Sequence, residues 1–481
     1  MKVWIVRKLI WKTLLYLRKK EAKDEYILKL FDVAQKIIPN QDMQQKASHV
    51  KESFKVKTST KGLIKRIILE PNLRCLYKFA NNLFINSFFL GGRVREDFFK
   101  KHGTELPYFL VISPTMRCNL ACVGCYAGSY EKNKEEELTI KEIHRIIREA
   151  KSLGMYFFTI SGGEPFFKEN ILEVFAKHND CYFQIYTNGT LIDKNLAKKL
   201  AQLGNVSPAI SIEGNEEFTD ARRGKGVYKK VMEAMDNLRE EGVIFGFSAT
   251  PTRLNTDYLT SDEFIEKMIK KGTIFGWYFT YIPIGKNPDL NLMQTPQQRK
   301  YTAQRTREFF YTKPIFIGDF WNHGPYVGGC IAGGRRYLHI NYRGDVEPCV
   351  FVHFAVDNIR RKSLKEIILS EFFRDIRSAQ PYDENLYSPC MIIDNPQILR
   401  SVVKKHKAYP THKGAESVIS GSIAEFLDRY SQEYKELTYP MWKALFAQDP
   451  LTQEARQRYE RNKQKIQQLI DEAKESSFSN F

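Results

Sequence analysis

Three closely spaced cysteines constrain this chain more than any other feature. Cys118, Cys122 and Cys125 lie four and three residues apart, shortly after the apolar run 108–112, which predicts a β-strand. Thiolates this close together can bind one metal centre, and three of them leave the fourth iron of a [4Fe–4S] cluster open. A zinc loop or plain thiols are the alternatives. Zinc sites usually consist of paired CxxC units, and this sequence has no such pair, so the spacing favours a catalytic iron–sulfur cluster.

The composition indicates a large folded protein with a strong positive charge. The 481 residues allow about three domains, and a hydrophobic content of 43% excludes global disorder. Eight cysteines without a signal-peptide pattern indicate a reducing, cytoplasmic compartment, where clustered cysteines serve metal binding or catalysis. A net charge of +18 attracts nucleic acid, anionic lipid or acidic peptides, and it does not distinguish among them.

The first twenty residues carry seven lysines and arginines and no acidic residue. Their apolar residues alternate with basic ones, and no apolar run approaches the roughly 20 residues of a transmembrane helix. Three interpretations stay open. The segment is a basic amphipathic helix on an anionic membrane surface, an ordinary helix packed on the protein's own core, or an organelle-targeting peptide.

From Leu106 onward the pattern alternates between strands and helices. Thr139 and Glu142 form a predicted capping box at the start of one helix, which should end near Gly154. Six βα units predict a parallel sheet, open or closed into a partial barrel, with its chemistry at the carboxyl ends of the strands. The predicted strands are 108–112, 155–160, 181–186, 208–212, 243–249 and 276–282.

Polar motifs follow the second, third and fourth of these strands. After the second come Gly162, Gly163 and Glu164. Glycines let the backbone approach a ligand, and the carboxylate can accept a hydrogen bond from a cationic amino group. Asn188 lies in a Thr-Asn-Gly turn after the third strand. A tight strand-to-helix turn at 161–165 and an ordinary turn around Asn188 are the structural alternatives.

After the fourth strand, Ser211 and Glu213 share one face at period two, so a hydroxyl and a carboxylate could together bind ribose hydroxyls. The segment 220–224 then supplies two arginines. Arg223, or Arg222 in its place, could bind a carboxylate with its planar guanidinium group.

Taken together, these motifs resemble those of radical S-adenosylmethionine (radical SAM) enzymes. The position that usually holds an aromatic residue is Gly124, and Tyr126 instead follows the last cysteine. The resemblance implies that SAM is cleaved to a 5′-deoxyadenosyl radical, which abstracts hydrogen from a substrate. It also implies a [4Fe–4S] cluster on Cys118, Cys122 and Cys125, and SAM contacts from Gly162, Gly163, Glu164, Asn188, Ser211, Glu213, Arg223 and Tyr126.

The second half contains Cys330, Cys349 and Cys390, with a predicted β-hairpin at 336–346 between the first two. This arrangement resembles the SPASM or twitch auxiliary domain, which implies a second cluster on these three cysteines. Those domains use four or more cysteines, so the fourth ligand is left to substrate, a distant cysteine, or a side chain such as His353 or Asp394. The alternative is the same fold without a cluster.

Asp319 lies in an aromatic loop bounded by glycines. It is the candidate catalytic residue, able to take or give a proton, or alternatively to cap a turn.

We therefore predict an α/β protein with a partial (β/α)6 parallel barrel. The expected domains are a basic helical extension (1–105), a radical SAM core (106–312), a SPASM/twitch-like domain with a cysteine-containing hairpin (313–400) and a helical C-terminal region (401–481).

Three functions are compatible with these features. The first is radical modification of a peptide or protein, favoured by the auxiliary domain and the 220–224 segment. The second is radical modification of a membrane lipid chain, and the third is a basic iron–sulfur protein that binds RNA, for which no RNA-binding module is visible. The expected partners are a flavodoxin or ferredoxin as electron donor and a peptide or lipid substrate, with peripheral contact to an anionic membrane and no nucleic acid. The expected location is the cytoplasm, peripheral to the inner face of the membrane.

Overall fold

The computed structural model describes residues 3–37 and 41–475. One nine-stranded sheet organises it, in the order β7-β6-β5-β4-β3-β2-β1-β8-β9. Strands β1 to β7 are all parallel, and β8 continues the parallel pairing on the other side of β1. The strands are β1 (Phe109–Ile112), β2 (Phe157–Ile160), β3 (Tyr182–Thr187), β4 (Val206–Ser211), β5 (Gly246–Ala249), β6 (Phe275–Tyr278), β7 (Phe316–Asp319), β8 (His339–Ile340) and β9 (Val346–Glu347).

Helices connect the parallel strands and cover the outside of the sheet. The predicted capping box is present, because Thr139 and Glu142 each bond the other's backbone N–H. Buried apolar residues from strands and helices form one continuous core. The covering helices are α7 (Ile140–Ser152), α8 (Ile171–Lys177), α9 (Lys194–Leu203), α10 (Glu216–Arg223), α11 (Val227–Glu240), α12 (Thr256–Leu259), α13 (Asp262–Lys270) and α14 (Pro296–Thr312).

A helical layer precedes the sheet and lies against the amino ends of its strands. Asn82 and Asn86 anchor this layer by donating hydrogen bonds to the carbonyls of Cys181 and Asp180, just before β3. The layer consists of α1 (Val3–Lys19), α2 (Asp24–Ile37), α3 (Gln41–Val56), α4 (Thr58–Leu69), α5 (Leu73–Lys78), a π-helix (Phe79–Leu90) and α6 (Gly91–His102).

The C-terminal third combines short strands with helices. The predicted hairpin is present as β8 and β9, in which His339 opposes Glu347. A separate antiparallel pair joins β10 (Phe354–Ala355) to β11 (Tyr409–Pro410). The helices are α15 (Gly324–Val327), α16 (Leu364–Ile368), α17 (Glu371–Ser378), α18 (Pro396–Lys405), α19 (Gly421–Leu445) and α20 (Gln453–Glu475).

The predicted α/β fold with helical termini is confirmed, and the sheet contains two parallel strands more than the six expected, β7 and β8. Strand β7 pairs with β6 in parallel register. Its apolar run, 315–317, is only three residues long and lies between Pro314 and Gly318, so the sequence pattern placed the end of the strand–helix alternation before it. Among residues 3–37 and 41–475, no helix is both long and apolar enough to cross a membrane.

Candidate active site

The three-cysteine loop follows β1, and the two glycines after β2 hold its first residues in place. The Gly163 N–H donates to the Thr115 carbonyl at 2.9 Å, and the Glu164 N–H donates to the Arg117 carbonyl at 2.9 Å. A Cβ atom on Gly163 would lie 2.3 Å from the Arg117 carbonyl oxygen. These glycines therefore allow close approach of two backbone segments, whereas sequence analysis expected them to allow close approach of a ligand.

Replacing Gly163 with alanine should displace the segment leading into Cys118. The contact that the new methyl group meets is backbone, which cannot rotate away. We expect reconstituted iron to fall by about half, since one of two four-iron clusters would be lost. Gly92→Ala is the matched control, because Gly92 lies in helix α6 and a Cβ there would lie 3.8 Å from its nearest neighbour, the end of the Arg95 side chain. Unchanged iron in Gly163→Ala would contradict this role.

The three cysteine side chains are partly buried, and the sulfur of Cys118 has two hydrogen-bond donors. Cys118 Sγ accepts from the Leu120 N–H at 3.4 Å and from Asn188 Nδ2 at 3.7 Å. Burial raises the pKa of the thiols of Cys118 and Cys125, while the positive charges of Arg222 and Arg223 partly lower that of Cys125. Free thiols in one loop, with N–H donors and cations beside them, fit an anionic iron–sulfur cluster.

Glu164 is fully buried and already has three donors from the protein. It accepts from Thr187 Oγ1 at 2.7 Å, from the Asn188 N–H at 2.8 Å and from the Phe166 N–H at 3.2 Å. Burial raises its pKa, and the bonds from Asn188 and Thr187 oppose that shift. The carboxylate therefore joins the loops after β2 and β3. Its predicted contact with an amino group stays a prediction.

Glu213 forms the charged centre of the site. Arg222 Nη1 and Arg223 Nη2 each lie 2.5 Å from its Oε1 atom, and the Thr250 N–H donates to its Oε2 atom. Burial raises the pKa of Glu213, but the two arginines outweigh burial and hold it below the usual value. Two cations share this one carboxylate, so the group keeps a surplus positive charge suited to an anionic ligand.

Arg222 also connects this charged centre to the cysteine loop. Its Nε donates to the Val123 carbonyl at 3.2 Å, and its own carbonyl accepts from the Val123 N–H at 2.9 Å. Sequence reasoning treated Arg222 only as a substitute for Arg223. The two consecutive arginines were the feature of the sequence that indicated a charged site. Their order in the chain did not show which atoms each of them contacts.

The two remaining predicted cofactor contacts lie at the same edge of the sheet. The Tyr126 hydroxyl is 2.8 Å from Ser161 Oγ, and burial raises its pKa to about 12. Its ring lies 5.1 Å from that of Phe351. Ser211 is the half-buried last residue of β4, two positions before Glu213.

A second, apolar cavity of about 400 Å³ brings together Cys330, Cys349 and Cys390. Burial raises the pKa of each of these thiols to about 12. Metal ligation removes such protons, and the three thiols share one enclosed space. These residues therefore fit an auxiliary cluster. Phe351 also lines the cavity, so a single aromatic side chain separates it from Tyr126.

The two side chains suggested as fourth ligand are both engaged elsewhere. The ring nitrogens of His353 bond His412 Nε2 and the Val350 carbonyl. Asp394 is paired with Arg299 and accepts from the Cys390 N–H at 2.9 Å. His323, which sequence reasoning did not single out, lines the cavity, and its Nε2 atom is buried without a hydrogen-bond partner in the described part of the chain.

Asp319 ends β7 and also lines the auxiliary cavity. Its two carboxylate oxygens accept from the N–H and the Nδ2 of Asn322, at 3.1 and 2.7 Å. This is the turn-capping arrangement anticipated as the structural alternative. Its catalytic role stays a prediction.

The fold and these two cysteine sites define an iron–sulfur enzyme with an open α/β sheet. Family models match at residues 112–250, described as the radical SAM superfamily, and at 330–391, described as an iron–sulfur cluster-binding (SPASM) domain. The chain belongs to the radical SAM superfamily. It is an enzyme whose cofactors are SAM and iron–sulfur clusters.

Curated relatives and solved structures agree with this assignment. The mycofactocin maturase MftC of Mycolicibacterium smegmatis is 31% identical over 302 residues, which are 58% of this chain and 75% of the relative. The Fe-coproporphyrin III synthase of Methanosarcina barkeri is 30% identical over 227 residues, 45% of this chain and only 57% of the relative. Streptococcus suis SuiB bound to S-adenosylmethionine has a similar fold, with a TM-score of 0.53 and 17% identity over 68% of this chain and 86% of SuiB.

Proposed function

We propose that this radical SAM enzyme modifies a peptide or protein. The observation that carries the proposal is the 31% identity over 302 residues with a maturase, which exceeds the 25–26% identity of heme synthases that align over a similar length. The fold likeness includes SuiB bound to its precursor peptide SuiA, with a TM-score of 0.52. A flavodoxin or ferredoxin is the proposed electron donor, and the proposed location is the cytoplasm.

In this proposal some residues bind the cluster or SAM, and others position those residues. Cys118, Cys122 and Cys125 would bind the cluster, which would supply the electron for reductive cleavage of SAM. The surplus charge beside Glu213 attracts the SAM carboxylate, with Arg223 as the contacting group. The glycine loop at 162–163 positions the backbone that leads into Cys118. Asn188 positions the cysteine segment through its hydrogen bond to Cys118 Sγ.

The auxiliary cavity is the proposed second cluster site. Cys330, Cys349 and Cys390 would bind that cluster, and the aromatic rings around it exclude water from the space between the two sites. Tyr126 and Phe351 form the boundary that a substrate side chain would have to approach. The domain limits 106–312 and 313–400 are proposed on this division of roles.

Formation of 5′-deoxyadenosine under reducing, oxygen-free conditions tests the substrate class. We expect a mixed peptide pool to stimulate formation at least about threefold over SAM alone. A mixed pool of iron tetrapyrroles and phospholipid vesicles serve as the other arms, because they represent the chemical class named by the Fe-coproporphyrin III and heme synthases among the relatives and the lipid alternative. Stimulation by either of these and not by peptide would overturn the proposed substrate. No 5′-deoxyadenosine in any arm would contradict the assignment of the cysteine loop.

A further inference from the structure

The π-helix Phe79–Leu90 has its polar residues inside and its apolar residues outside. Asn81, Asn82 and Asn86 are buried, whereas the rings of Phe84 and Phe88 are 51% and 42% exposed. The buried amides are committed to the fold, because Asn82 and Asn86 bond backbone carbonyls before β3. Burial of apolar side chains drives ordinary helix packing, so this inverted arrangement means that the exposed rings serve another contact.

Helix α1 presents a similar outer face. Its inner residues Leu14 and Leu17 are buried, as an ordinary core-packed helix requires. Its outer face still carries large apolar side chains, with Trp4 62% and Trp11 37% exposed. The basic residues Lys8, Lys12 and Lys19 are exposed alongside them, and α1 contains no acidic residue.

These two elements are neighbours in the structure. Arg7 on α1 donates to Asn86 Oδ1 on the π-helix at 2.9 Å. The Trp11 ring also packs edge-on against Tyr77, two residues before the π-helix, with a centroid distance of 5.2 Å. We call the exposed set the aromatic–basic face. It comprises Trp4, Lys8, Trp11, Lys12, Leu15, Lys19, Phe84 and Phe88.

We propose that the aromatic–basic face binds the surface of an anionic lipid bilayer. Tryptophan and phenylalanine insert at the headgroup level, and lysines pair with anionic lipids. The net charge of +18 adds long-range attraction to such a surface. A second copy of the chain would bring lysines against lysines, so charge complementarity favours lipid. The helical layer lies at the amino ends of the strands, so the candidate active site faces away from the bilayer.

Vesicle flotation of the full chain tests this proposal without substrate or SAM. Two kinds of vesicle serve as probes. One is pure phosphatidylcholine, and in the other about 30% of the lipid is anionic phosphatidylglycerol. We expect at least about tenfold stronger binding to the anionic vesicles. The variant Trp4→Ser/Trp11→Ser/Phe84→Ser/Phe88→Ser should bind those vesicles about tenfold more weakly.

The control variant is Leu254→Ser/Tyr301→Ser, which removes two exposed apolar side chains elsewhere, at 68% and 45% exposure. It should float like the wild type. Wild-type flotation of the four-serine variant, or no binding of the wild type to anionic vesicles, would overturn the proposal. So would a lipid-free dimer that the four-serine variant abolishes, because the face would then bind a second copy. Circular dichroism of each variant confirms that the fold is retained.

Discussion

Replacing Cys118, Cys122 and Cys125 together with alanine should leave about four of about eight irons per chain and abolish cleavage of SAM. The reason is that one site loses all its thiolates, while Cys330, Cys349 and Cys390 line a separate cavity and remain intact. Iron and sulfide content after anaerobic reconstitution measures the first effect. Formation of 5′-deoxyadenosine measures the second.

The complementary alanine variant of Cys330, Cys349 and Cys390 should also keep about four irons. Cys75→Ala is the control, because this buried thiol on α5 contacts the carbonyl of Ala201 at 3.9 Å, away from both sites. About eight irons in the first variant would contradict the assignment of the 118–125 loop. No iron in that variant would mean that the auxiliary cavity holds no cluster of its own.

Asp394→Asn should lower the free energy of unfolding by about 3–5 kcal/mol, because it leaves the buried Arg299 without a counter-charge. Arg299 and Asp394 are both fully buried and form a two-pronged ion pair. Asp394 also accepts the Cys390 N–H at 2.9 Å, so its loss should loosen a proposed cluster ligand. We therefore expect iron at the auxiliary site to fall together with stability.

Denaturant unfolding of the apoprotein measures the stability change, and iron content after reconstitution measures the loss at the auxiliary site. Glu169→Gln is the matched control, since it breaks an ion pair with Lys134 in which both side chains are exposed. Its unfolding midpoint should not move. A wild-type midpoint for Asp394→Asn would show that the Arg299 charge is compensated by other groups.

The sheet was predictable because its strands are short and buried, with polar turn residues after each one. Residues such as Leu110, Phe158 and Phe183 are fully buried, which is why the apolar runs stood out from their surroundings. Strand β7 has an apolar run of only three residues, 315–317, and its pairing with β6 defines it. The local sequence pattern therefore predicted the strands with a clear apolar signal. It missed β7, which is recognised by its pairing with β6.

The partners of individual polar side chains could not be predicted in the same way. His353 seemed a possible metal ligand, but it pairs with His412, 59 residues later in the chain. The ribose contact of Glu213 stays a prediction, and the sequence did not reveal that two arginines nine and ten residues later bond its carboxylate. Such contacts depend on how distant segments meet in space, for which spacing in the sequence carries no information.

The pairing of β8 with β1 has a mechanical consequence. The Val111 and Ser113 N–H groups donate to the carbonyls of Leu338 and Ile340. The 118–125 loop leaves this sheet just after β1, and Cys349 follows β9 in the adjoining hairpin. Main-chain hydrogen bonds therefore fix the separation of the two cysteine sites. Hinge rotation that moved the two cysteine sites apart would therefore have to break the main-chain hydrogen bonds between β1 and β8.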